Sequence, residues 1–131
     1  MPAVDFGEWA AVDGLELQLG GRTYKVPPPS VQSMRQVLAA AVRGEVNLRM
    51  VKGPVPAEVQ EVLDSIGPDD HPGLGPVYDQ LAADGVPQVV VDRMAYYAVF
   101  YWARGKEYAD TLARIMWAPI SEEVDEHAPK G

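Results

Sequence analysis

Apolar positions crowd most densely between Val86 and Trp117. At 3.6 residues per turn, Val91, Met94, Ala95, Ala98, Tyr101 and Trp102 fall on one helical stripe. Val89, Tyr96, Phe100 and Ala103 fall on a second, nearly opposite stripe, and only Asp92, Arg93 and Arg104 interrupt the two. A helix apolar on two sides is buried between two layers or keeps one side for a partner. The pattern alone points to a central core helix. Its uncharged run, Met94 to Ala103, is about half of what spans a bilayer, so no membrane helix is expected.

Upstream the period changes. Leu15-Glu16-Leu17-Gln18-Leu19 alternates, and Gly20-Gly21 leads into Arg22-Thr23-Tyr24-Lys25-Val26. Two alternating runs joined by Gly-Gly predict a β-hairpin, about 15–26, because such a turn needs positive φ. A hairpin is marginal alone in water, so it should lie against helices. Pro27-Pro28-Pro29 stiffens the connection onward.

Four more helices are predicted. Ser30 suits an N-cap, and Val31, Met34, Val37, Leu38, Ala41 and Val42 then share a face, with Gly44 as the stop. Residues 45–51 alternate as a short strand would, but also fit a further helical turn. Pro56 opens a helix with the stripe Val59, Val62, Leu63 and Ile66, stopped by Gly67-Pro68. Leu74, Val77, Tyr78 and Leu81 mark the next, closed by Asp84-Gly85. After the break at Gly105, Tyr108, Thr111, Leu112 and Ile115 form one face of a last helix. Lys106, Glu107, Asp110 and Arg114 form the other, with Asp110 and Arg114 spaced for an ion pair. Trp117 should project onto that charged side.

The expected fold class is therefore mainly α (α+β), a hairpin packed on a compact bundle of about five helices. One domain should cover residues 1–118, with Phe6 and Trp9 the large apolar groups of its mixed first stretch. Glu122, Glu123, Asp125 and Glu126 dominate residues 119–131, which read as a disordered acidic tail.

Composition narrows the function. The chain has 131 residues, no cysteine and a net charge of −8. No disulfide or thiolate chemistry is available. An acidic surface repels phosphate backbones, which argues against nucleic acid and for solubility or a basic protein partner. The start, Met1-Pro2-Ala3-Val4-Asp5, lacks a signal-peptide pattern, which leads us to expect the host cytoplasm.

Reactive groups are sparse. Asp69-Asp70-His71 offers donors for a divalent ion, but reads better as a capped turn. Gly73-Leu74-Gly75-Pro76 resembles the start of a dinucleotide loop without its third glycine or preceding strand. Glu58 and Glu61 suit the positive end of a helix better than acid–base work. No serine sits in a nucleophile elbow. The helices at 56–66 and 74–84 are joined too loosely for a helix-turn-helix, and the second has no Arg or Lys. No catalytic residue, cofactor or metal site is expected, and an enzyme is not. Aromatic and Met side chains crowd the last third, as interfaces require. The expected partner-binding residues are Tyr97, Tyr101, Trp102, Met116 and Trp117.

Three stretches carry a family resemblance. Leu15 through Ser30, with its Gly-Gly turn and Pro-Pro-Pro connector, resembles the opening of tail assembly chaperones from long-tailed, siphovirus-type phages and prophages of actinobacteria. Tyr78-Asp79-Gln80-Leu81-Ala82-Ala83-Asp84-Gly85-Val86-Pro87 is similar to that family's middle, as is the aromatic helix around Phe100-Tyr101-Trp102 with Gly105 after it. The likeness covers about residues 14–117. It implies a non-structural, non-enzymatic factor that binds the helical, aggregation-prone tape measure protein and helps tail tube protein polymerise around it. It also implies a longer form of the same protein made by ribosomal frameshifting. Homo-oligomerisation stays open. The residues fit such a role by helix-in-groove contact repeated along the partner. The alternatives are a virion component, such as a head-tail connector or tail completion protein, and then a small host-directed regulator or enzyme.

Overall fold

The computed structural model describes Ala3 and residues 14–117. Phe6, Trp9 and the acidic tail lie outside the described residues. The elements run β1 (Leu15–Leu19), β2 (Arg22–Val26), α1 (Val31–Asn47), α2 (Ala57–Asp64), α3 (Val77–Ala83), α4 (Gln88–Arg104) and α5 (Lys106–Trp117). The mainly helical class and the N-terminal hairpin are as the pattern predicts.

β1 and β2 pair antiparallel with Leu17 opposite Tyr24 and Leu19 opposite Arg22. That register leaves a two-residue turn in which Gly20 takes φ +62°, the positive value that glycine adopts without strain. Leu15, Tyr24 and Val26 are buried from the hairpin's inner face. They join Leu74, Val77, Leu81, Val91 and Ala98 in one core cluster. Polar contacts fix the hairpin from outside. The Tyr24 hydroxyl donates to Asp84 at 2.6 Å, and Arg22 pairs with the same carboxylate at 2.8 Å. The Tyr24 bond, with Arg22 beside it, holds Asp84 below the usual carboxylate range.

α4 lies between that cluster and a second one of Ala41, Phe100, Ala109 and Leu112. Both apolar sides of the central helix are therefore used as core, although Val89 at its start is 58% exposed.

Ser30 caps α1, its hydroxyl accepting the Ser33 N–H at 3.1 Å. The expected stop at Gly44 is corrected: α1 continues to Asn47, so residues 45–47 are helix rather than strand. Gly44 is instead a point of close approach. A Cβ there would come within 2.8 Å of Phe100 Cζ and of the Tyr96 hydroxyl. The buried face of α1 is also turned from the expected one. Val37, Ala41, Gly44 and Glu45 face inward, while Val31 and Leu38 are exposed. Glu45 sets this phase. Its carboxylate takes two bonds from Arg104, both 2.9 Å, and one from the Tyr108 hydroxyl at 2.6 Å. The Arg104 bonds hold it below its ordinary value, against the opposing pull of burial. Tyr108 is pushed up to about 12, by burial first and Glu45 second.

α5 shows the same rotation. Ala109 and Leu112 are buried, with Met116 packed beside them. Ile115, expected on that face, is 74% exposed. Asp110 pairs with Lys106 at 2.6 Å, not with Arg114, whose Nη2 lies 3.5 Å from Thr111 Oγ1.

Candidate functional site

The central helix offers a third sector between its two core stripes. Val90, Arg93, Met94, Tyr97 and Tyr101 recur at helical spacing and line one open groove. One wall is α5, through Lys106, Ala113 and Trp117, which also share a helical face. The other wall is the stretch from Gly14 to Gln18, which includes most of β1. The groove encloses about 590 Å³. Its floor is largely apolar and aromatic.

Local bonds hold that shape. The Tyr101 hydroxyl donates to the Gly14 carbonyl at 3.3 Å, tying the floor to the root of β1. The Tyr97 hydroxyl donates to Asp110 at 2.5 Å, tying the floor to α5. Burial first, and then Asp110, raises Tyr97 above its ordinary value, so it stays a neutral donor. Asp110 is held low by Lys106 and then Tyr97. At neutral pH it is a carboxylate with both neighbours satisfied. Trp117 closes one end, edge-on to Tyr96 with centroids 5.9 Å apart. The Arg93 guanidinium sits 5.8 Å from the centre of its ring. Arg93 makes no ion pair with a described residue.

Three of the five sequence-predicted partner residues, Tyr97, Tyr101 and Trp117, meet in this groove. Two lie elsewhere. Trp102 is half-buried and its indole N–H donates to the Gly73 carbonyl at 3.0 Å. Met116 packs on the second core cluster. Pattern reading missed Val90, Arg93 and the β1 edge. The 90, 94, 97, 101 spacing was available, but Met94 and Tyr101 count in a stripe that reads as core, and Val90 and Tyr97 in neither stripe. The acidic turn is otherwise engaged: Asp70 accepts the Gly67 N–H at 2.8 Å and His71 stacks on Tyr78 at 3.4 Å. Among the described residues, no group of three His, Cys, Asp or Glu side chains is placed to hold a metal ion.

One family model matches residues 4–128. The chain belongs to that family, a domain of unknown function (DUF7426). The match takes in the hairpin, all five described helices and so the whole groove of this DUF7426 chain. Comparison with curated proteins and with solved structures gives no match. Among the described residues, no helix is long and apolar enough to cross a membrane.

Proposed function

We propose that this chain is a phage tail assembly chaperone acting in the host cytoplasm. Its client would be the tape measure protein, and it would promote assembly of tail tube protein around that client. One observation carries the reading. The three stretches that resemble such chaperones are the hairpin with its Pro-Pro-Pro connector, most of α3 with the turn into α4, and the aromatic end of α4 around Phe100-Tyr101-Trp102. The hairpin and α4 supply one wall and the floor of the aromatic groove. An apolar groove on a chain of net charge −8 suits a factor that covers a sticky client and stays dissolved. Tyr97, Tyr101 and Trp117 supply the anchors, and no step of the role requires a catalyst.

Co-expression with the tape measure protein of the same phage or prophage tests this. The client should become soluble and co-purify, with the longer frameshifted form supplied as well if the short form fails. A client that stays insoluble with both forms overturns the reading. Finding the chain as a stoichiometric part of purified particles would favour a virion component such as a head-tail connector.

A further inference from the structure

We propose that the groove binds an extended segment of a partner polypeptide as a third strand on the free edge of β1, with an acidic residue of that segment paired to Arg93. The proposal deepens the chaperone role and rests on the groove being the client site.

The edge argument comes from the lining itself. Successive side chains of a strand point to opposite faces of the sheet. Leu15 and Leu17 share the inner face with Tyr24 and Val26, while Glu16 and Gln18 share the outer one. All four line the groove, and no β2 residue does. The groove therefore runs along the edge of β1, not across one face. β1 has a single partner, β2, among the described residues. Every second residue of β1 turns an N–H and a C=O toward the open side.

Those backbone groups discriminate between occupants. A helix satisfies its own N–H and C=O groups internally and has none to give an edge. An extended segment supplies both at every second residue. Lengths agree as well. Val90 and Tyr101 stand eleven positions apart on α4, about 16 Å at the helical rise. The four steps from Leu15 to Leu19 of β1 cover about 13 Å, most of that length. A segment of about five residues would lay alternate side chains on Met94 and Tyr97.

Charge sets the remaining preference. The whole chain is acidic, yet the groove is lined by Arg93 and Lys106 against Glu16 alone. Lys106 is taken by Asp110, and among the described residues Arg93 has Trp117 beside it but no carboxylate partner. An acidic group at the Arg93 end completes it. α5 forms the wall opposite β1, so the groove is bounded along both long sides.

The test uses the full chain and capped synthetic peptides of about six residues, with Val, Leu or Phe at alternate positions and Asp at one end. Two N-methylated versions block the amides of one alternate set or the other. Binding is read by anisotropy, and β1 amide shifts by NMR. One N-methylated series should lose at least about tenfold in affinity, while the other binds like the parent. Replacing the peptide's Asp with Lys should weaken binding, and Arg93→Gln should erase that preference. Arg93 is exposed, so this variant should fold. Equal binding of both N-methylated series, no shift at β1 amides, or no binding by any peptide overturns the proposal. So does a β1 shift on simple dilution, which would place a second copy in the groove. Co-purification with the tape measure protein reads the chaperone role separately. Its success beside failed peptides sinks strand addition alone, and the reverse sinks the client assignment alone.

Discussion

Gly44 and Glu45 show how two neighbours set the phase of an element. A glycine inside a helix ordinarily costs about 0.5–1 kcal/mol relative to alanine. Gly44→Ala should nonetheless destabilise, by about 1–3 kcal/mol in urea unfolding, because Phe100 is buried and cannot retreat from the added methyl. An increase in stability would show that the rings move aside freely. Glu45→Gln removes the charge from three hydrogen bonds. A loss of about 1–2 kcal/mol is expected, allowing for the part of Arg104 that faces water. The pH sign follows from the direction of the shift. A carboxylate held below its ordinary value of 4.5 adds stability above that pH and loses it as the pH falls through the lowered value. The wild-type melting temperature should therefore drop more steeply below about pH 4.5 than that of Glu45→Gln. Parallel curves would remove Glu45 from the acid response. Nothing in the pattern marked either residue as core, since glycine carries no side chain to count and glutamate counts as solvent-facing.

At the scale of elements, the hairpin was legible because its period of two, its Gly-Gly turn and its length all agree. The α1 cap at Ser30 and the break at Gly105 were legible for the same reason. The faces of α1 and α5 were not. Each rotates to satisfy the polar contact among Glu45, Arg104 and Tyr108, which spans three elements and leaves no local trace. Ile115 and Val31 are left outside in consequence. The two described tryptophans now separate by role. Trp102→Phe deprives the Gly73 carbonyl of its donor and should cost about 1 kcal/mol without altering client binding. Trp117→Ala should also cost about 1 kcal/mol, through Tyr96 and Arg93, but should weaken client binding markedly. Measuring melting and co-purification for both variants distinguishes them. Identical behaviour would remove Trp117 from the binding surface.

At the scale of the whole molecule, α4 belongs to both core clusters and to the groove floor, so its three sectors are all committed. The hairpin is different. Its outer fastening converges on one carboxylate, Asp84, and its root on the Tyr101 bond to Gly14. Asp84→Ala should therefore speed hydrogen exchange in the β1–β2 ladder and leave α4 protected. Because β1 is also a wall of the groove, the same variant should weaken any groove ligand. Linkage makes the effect reciprocal, since a ligand that needs the hairpin in place must stabilise it. At about a hundredfold excess over its dissociation constant, that stabilisation is about 2.7 kcal/mol, enough to slow hairpin exchange about a hundredfold. Slowed exchange confined to Leu15–Val26 on client addition would place the wall of the groove in contact with the client. Slowing centred on α1 and α5 would mean the client instead grips the second cluster, and Ile115 with Met50 on the far side of α5 would become the surface to mutate.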